Sequence, residues 1–260
     1  MSIEQVWKSN QGIWLYNYVG GWALCYATID DSAIEQVPFI LYSKNVNDTS
    51  TSFTASEDIF TESNGHRISS GDFASASTYP KLSSYPYPKP GKPIPNITLR
   101  VIKLNDRNEI VYKDQRVRPV AEINGGEHML SSEPVWLSEY EFIATWVSRN
   151  QDMMVVSKCR EVETEWRCER ITDQKQVRPL GSLVLHSRPL ISSSGQRMFL
   201  RLPVSDGAAG TFGHIAMVTM YGKRQYLTHG QFVVSEIFAY REDLQTLYYS
   251  ATSMEEPGLR

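Results

Sequence analysis

The chain has 260 residues, 41% hydrophobic and 11% aromatic, with 26 basic against 29 acidic side chains. That length can bury a large core, as one big all-β domain or two ordinary ones. A net charge of -3 lacks the basic excess of a general nucleic-acid surface. No apolar run approaches the roughly 18 residues of a membrane span. Met1 to Trp7 lacks the basic-then-apolar order of a signal peptide, so the chain reads as soluble and without an address label.

In chain order, the first informative stretch is a polar one. Residues 45 to 85 are rich in Ser and Thr, from Asn45-Val-Asn-Asp-Thr-Ser-Thr-Ser52 to Ser83-Ser84, with Phe53, Ile59, Phe60 and Phe73 scattered without period. This reads as a loop or insertion. It closes in Tyr85-Pro-Tyr-Pro-Lys-Pro-Gly-Lys-Pro-Ile-Pro95, whose prolines fix φ and withhold backbone donors, so an extended, semi-rigid segment outside a sheet interior is expected.

Beyond it, apolar residues come in short runs bounded by turn residues, the pattern of strands. Thr98–Leu104 alternates, turns at Asn105–Asn108 and returns through Glu109–Lys113. Glu141–Val147, a turn at Arg149–Asp152, Met153–Ser157 and Glu165–Cys168 form a second group. Arg197–Leu202, Phe212–Thr219, Gly230–Tyr240 and Thr246–Ser250 follow. A "Pro, apolar, turn, strand" opening recurs at Glu133–Ser138 and Arg188–Gly195, about 55 residues apart. Four-stranded units repeating every roughly 40 to 50 residues are the mark of a β-propeller. A β-sandwich has similar strands but no reason for repeated openings. The fold class expected is all-β: a partial β-propeller of four-stranded antiparallel blades, some incomplete, with no α/β-hydrolase domain.

Three cysteines are too few for a disulfide scaffold. Cys159 and Cys168 nevertheless flank a polar turn at Glu161–Thr164, and a hairpin can bring them to the Cα separation of about 5.5 Å that a bridge needs. The alternative is two free thiols in a cytosolic protein. Two glycosylation sequons, Asn47-Asp-Thr49 and Asn96-Ile-Thr98, lean with a bridge toward an extracellular or lumenal chain. Cys25 reads as a small buried apolar residue.

His66, His128, His186, His214 and His229 are isolated, with no ligand spacing for a metal. Gly20-Gly21 and Gly125-Gly126 are turn pairs without a phosphate-loop context, and Asp30-Asp31 and Glu255-Glu256 read as solvated carboxylates. No cofactor, no metal and no catalytic residue is expected. A strand-to-helix nucleophile elbow needs Gly-x-Ser-x-Gly, and that pattern is absent from the sequence. Trp136, Trp146 and Trp166 are expected to pack between blades; Tyr79, Tyr85 and Tyr87, interleaved with proline, could present a surface to a partner domain instead.

Several segments resemble the dipeptidyl peptidase IV family of the prolyl oligopeptidase clan. Tyr85–Val101 is similar to its "YPKAG…NP" passage into a strand, and Leu24–Asp31 with Val37-Pro38 to its "LAYA-x-FND…VP" segment. Trp136–Ser138 with Trp146–Gln151 resembles "W…QWLNRAQN", and Leu227–Tyr240 with Leu247–Ser250 resembles "LTxGxWxV…Y…IYFxST", Phe232 standing in place of the tryptophan. Cys159 and Cys168 fall where the family has a propeller disulfide. The likeness covers residues 22 to 44 and 85 to 260 in collinear order; Ile13–Trp22 fits no part of it. The division it supports is 1–44 as partial blade with an atypical N-terminus, 45–95 as insertion and 96–260 as blades.

The resemblance implies the N-terminal propeller of a serine peptidase that removes Xaa-Pro or Xaa-Ala dipeptides from peptide substrates. The full-length family is typically a homodimeric type II membrane or secreted glycoprotein, whose Ser-Asp-His triad lies in a hydrolase domain absent here. The family's paired glutamates precede a "W-x-S-x-x-G" strand similar to Trp7–Gly12, so the pair falls before this chain, and Glu4 does not replace it. Leu183, Val184 and Leu185 align with the family's substrate-reaching Arg-Phe-Arg triplet, a departure that removes its arginines. Two readings follow. One is an inactive propeller fragment that gates substrate and presents partner surfaces; the other is a non-catalytic homologue serving as a protein-binding or channel-auxiliary module. An unrelated all-β lectin or sandwich is a third.

Overall fold

A computed structural model of the chain describes residues 12–41, 81–120, 128–163, 165–175 and 188–252. They fall into two compact units, one of Asp31–Pro95 and one of the residues before and after it.

In the larger unit, β1 (Ile13–Tyr18), β2 (Gly21–Asp30), β5 (Asn96–Asn105) and β6 (Ile110–Arg118) make a first antiparallel blade in that order. The second blade is β11 (Glu165–Lys175), β10 (Met153–Val162), β9 (Glu141–Ser148) and an interrupted fourth strand, β7 (His128–Leu130) plus β8 (Val135–Ser138), both pairing β9. Pro134 ends the interruption, since a proline has no N–H to give the ladder. A two-residue parallel bridge, Trp166↔Val117 and Arg167↔Arg118, joins the outer strands of these blades. The third blade is β12 (Leu190–Ile191), β13 (Arg197–Ser205), β14 (Thr211–Thr219) and β15 (Arg224–Tyr226); the hairpin of β16 (Val234–Arg241) and β17 (Thr246–Ala251) begins a fourth. Among the described residues the one helical turn is the 3-10 segment Gly207–Ala209. The all-β, partial-propeller expectation holds.

The turns sit where the sequence marks them. Asn108, Gln151, Glu163 and Gln245 take φ between 50° and 59° at the β5–β6, β9–β10, β10–β11 and β16–β17 connections. At the first, Asn105 Oδ1 accepts the backbone N–H of both Arg107 and Glu109 at 2.9 Å, a side-chain mimic of a backbone turn.

Among the described residues, three cores lie between successive blades. Trp14, Ala23, Cys25, Leu99 and Val101 of the first meet Trp136, Phe142, Ala144, Trp146, Val155 and Trp166 of the second. The opposite faces of β9 and β10, through Ile143, Met154 and Val156, meet Met198, Leu200, Leu202, Ala216 and Val218 of the third. Phe199 and Ile215 then meet Val234, with Ile237, Tyr240 and Leu247 packed alongside. Successive side chains of a strand point to opposite faces. A blade covered on both sides is therefore apolar at nearly every position, as in Phe142–Val147, where Thr145 is the one polar residue and is itself buried; β5, covered on one, alternates.

The smaller unit corrects one expectation. Gln36–Leu41 (β3) pairs antiparallel with Lys81–Pro86 (β4), from Gln36↔Pro86 to Leu41↔Lys81. Backbone hydrogen bonding thus makes a strand of the Ser-Ser-Tyr-Pro end of the stretch expected to be a loop. Pro86 is tolerated because it closes an edge strand of a two-stranded ribbon. Ile13–Trp22 forms β1 and, after a turn at Val19-Gly20, enters β2. A Cβ on Gly21 would lie 1.9 Å from the Leu104 carbonyl oxygen, so only hydrogen fits there.

Candidate functional site

The densest polar and aromatic arrangement lies between the first two blades. Phe142 stacks on Trp166 at 5.2 Å between ring centroids, and Trp136 meets Trp166 edge-on at 5.9 Å and Phe142 at 5.2 Å. Trp136 Nε1 donates to the Trp14 carbonyl at 3.2 Å, tying the blades with a buried bond. Into this apolar setting β5 sends Lys103, on the same face as Leu99 and Val101. Its Nζ lies 2.5 Å from Glu161 Oε2 on β10 and 4.0 Å from the Tyr140 ring centroid, with side-chain exposures of 6% for Lys103 and 10% for Glu161. Two charges this far from water are tolerable because each is the other's counter-ion. The Tyr140 ring face adds attraction to the ammonium.

Two residues before Glu161, Cys159 forms a disulfide with Cys168 directly across the β10–β11 ladder. Closing so short a loop restricts the unfolded chain by about 2–3 kcal/mol in the chain-entropy account. Cys25 is fully buried, and burial pushes its thiol far above the ordinary range, leaving it protonated and unreactive.

Between the second and third blades Arg224 clamps β11: its guanidinium donates to Thr172 Oγ1 and the Asp173 carbonyl at 2.5 Å and to Gln174 Oε1 at 2.7 Å. Nearby Gly222 has φ 86°, and a Cβ there would stand 2.5 Å from the Ile171 carbonyl oxygen. Between the third and fourth, Arg201 donates to the Val234 and Ser235 carbonyls; desolvation pulls its pKa down, and Glu236 opposes the shift. Buried His214 donates Nε2–H to the Gly230 carbonyl at 2.9 Å, and its Nδ1 lies 3.1 Å from Thr228 Oγ1, which accepts the Ile215 N–H. These groups hold blades and loops together.

The smaller unit offers a different surface. Phe39, Tyr85 and Tyr87 form an edge-to-face series at 5.4 and 6.2 Å, and all three, with Ile40 and Leu82, are exposed. Glu35 fastens the proline-rich loop by accepting from Lys89 at 2.8 Å and Lys92 at 3.0 Å, and those bonds hold its carboxyl below the usual range. Lys92 N–H also bonds the Lys89 carbonyl across a turn, so the loop bends rather than running straight.

Among the residues marked in the sequence, Trp136, Trp146 and Trp166 are buried between blades as expected. Asn96 is exposed at the start of β5. Asn47, His66, His186, Tyr79, Glu4, the Trp7–Asn10 segment and Leu183–Leu185 lie outside the described residues, as do Gly125-Gly126 and Glu255-Glu256. Among the described residues no group of three or more His, Cys, Asp or Glu is placed to hold a metal ion. Lys103, Glu161 and Arg201 escape a reading by composition. Their signal is positional: Lys103 occupies the buried register of an alternating strand.

A family model described as the dipeptidyl peptidase IV (DPP IV) N-terminal region matches residues 4–260. The inactive dipeptidyl peptidase 10 of Mus musculus is 28% identical over 185 residues, covering 69% of this chain and 22% of that protein. The Rattus norvegicus protein of the same name is 27% identical over 185 residues, with the same coverage. The chain thus spans about a fifth of the length of the curated relatives it matches. Among solved structures, Porphyromonas gingivalis dipeptidyl peptidase 4 superposes with a TM-score of 0.60 at 14% identity, over 90% of this chain and 26% of that one. A putative dipeptidyl aminopeptidase IV from Bacteroides ovatus gives 0.58 at 13% identity, over 94% and 32%. At such identities the likeness is one of fold.

Proposed function

The chain belongs to the dipeptidyl peptidase IV family, whose N-terminal region it carries, and on that premise we propose that it acts as a propeller segment that gates peptide substrates and presents partner surfaces without hydrolysing anything itself. The observation that carries this reading is the use made of the buried groups. Lys103, Glu161, His214 and Arg224 are all engaged in joining strands and blades. The sequence holds no Gly-x-Ser-x-Gly to supply a nucleophile. In a longer protein, the serine chemistry that removes Xaa-Pro or Xaa-Ala dipeptides would come from a hydrolase part, in the homodimeric assembly of the full-length family. The bonded Cys159–Cys168 pair supports an extracellular or cell-surface setting, as the ectodomain of a type II membrane protein, because cytosolic conditions keep such thiols reduced.

A second reading has its own support: the Mus musculus and Rattus norvegicus relatives bear the name inactive dipeptidyl peptidase 10. On it the parent is a non-catalytic, protein-binding or channel-auxiliary homologue, and the exposed Phe39–Tyr85–Tyr87 series is the surface it offers. The purified chain, given chromogenic Gly-Pro and Lys-Ala dipeptides and a fluorophosphonate probe, should release no dye and take up no label. Serine labelling or turnover would overturn the proposal. The same probe on the natural protein separates the readings: a labelled parent is a peptidase, an unlabelled one the non-catalytic homologue.

A further inference from the structure

We propose that Asn96 is an N-glycosylation site, taking an oligosaccharide on its side-chain amide; the inference rests on the extracellular reading above. The residue opens the sequon Asn96-Ile97-Thr98, whose middle position is not proline. It is exposed as the first residue of β5. Its cross-strand partner is Asp30, and Thr28, Ile29 and Asp30 on the neighbouring strand are exposed as well, Ile29 at 66%. The face carrying Asn96 is opposite to the one that buries Leu99 and Val101. A bulky hydrophilic group there displaces no packed side chain.

The ladder also fixes when transfer happens. In the folded chain the whole sequon is held in register, Asp30↔Asn96, Ile29↔Ile97 and Thr28↔Thr98, with Thr28 Oγ1 donating to the Thr98 carbonyl at 3.2 Å. That pairing bridges 70 residues, so a growing chain presents the sequon unpaired before the ladder closes. The donor is a lipid-linked oligosaccharide diphosphate, with its transferase. Asn96 Nδ2 attacks the anomeric carbon and an N–C bond forms. The bond from that carbon to the diphosphate oxygen breaks, the lipid diphosphate leaves with the electron pair, and an amide proton passes to the transferase base.

The position has a structural use. The register of β6 on β5 runs between Arg100 and Leu104, so Asn96–Leu99 extends past it. An open strand edge is a template for association with other chains, and a glycan at its first residue obstructs that approach.

The test uses the native protein from the cells that make it. Peptide N-glycosidase treatment in isotope-labelled water should convert Asn96→Asp with the heavy oxygen incorporated. In the secreted protein, Asn96→Gln and Thr98→Ala should each remove one glycan step in gel mobility, and Thr98→Ser, which preserves the sequon, should retain it. A bare Asn96 on molecules whose Cys159 and Cys168 are bonded overturns the proposal and leaves the extracellular reading standing. A bare Asn96 with both thiols free overturns the two together.

Discussion

Lys103→Met should destabilise the chain by about 3–5 kcal/mol in chemical denaturation, because it strands the Glu161 carboxylate between two blades without a counter-charge. Methionine keeps most of the lysine stem's volume, so the loss reports the missing charge rather than a cavity. Burying two charges is itself expensive, and the attraction between them only offsets that expense. Lys103→Met combined with Glu161→Leu should therefore recover most of the stability. A single mutant within about 1 kcal/mol of the parent, the scale of a surface pair such as Arg118–Glu165, would show that the pair is hydrated in solution.

Trp166→Ala is the second large effect. The side chain is fully buried, stacked on Phe142 and edge-on to Trp136. Truncating an aromatic of this kind in a core costs about 3–5 kcal/mol in lost transfer free energy and cavity. Trp166→Phe should lose a fraction of that, since a smaller ring keeps the stack on Phe142. The Lys103 ammonium sits 5.9 Å from the Trp166 ring centroid, so Lys103→Met and Trp166→Ala together should depart from additivity by more than about 0.5 kcal/mol. Strict additivity would mean that the two groups belong to independent parts of the first core.

How the sequence encodes the blades is visible in particular strands. The run Phe142-Ile-Ala-Thr-Trp-Val147 reads as a strand with apolar residues on both faces, and the structure explains it: Phe142 and Trp146 face the first blade, Ile143 the third. The hairpin turns at Asn105–Asn108 and Glu161–Thr164 were legible from their polarity, and the Cys159–Cys168 pairing follows from the second of them. The β3–β4 ribbon was not legible, because its register depends on hydrogen bonds between segments 45 residues apart, Gln36↔Pro86 to Leu41↔Lys81 closing a long excursion. Ser83 and Ser84 have no strand periodicity of their own; the partner strand decides.

The candidate site divides the same way. The aromatic side chains of the first core are conspicuous by type. Arg201 and Arg224 look like ordinary surface arginines, and only the approach of a neighbouring blade's backbone carbonyls gives them their work. Gly222 is a turn glycine in the sequence, yet what requires it is the Ile171 carbonyl of the adjoining blade. Contacts between blades are set by residues far apart in the chain, which is why local pattern foretells strands and turns better than it foretells these joints.

The larger unit is a stack of blades whose middle members are covered on both faces. Native-state amide hydrogen exchange tests it most directly, since protection follows burial and local cooperativity. The slowest exchange is expected in β9 and β10 of the second blade and β13 and β14 of the third, with much faster exchange in the β3–β4 ribbon and the β16–β17 hairpin. Uniform protection across all strands, or slowest exchange in either of those hairpins, would contradict it.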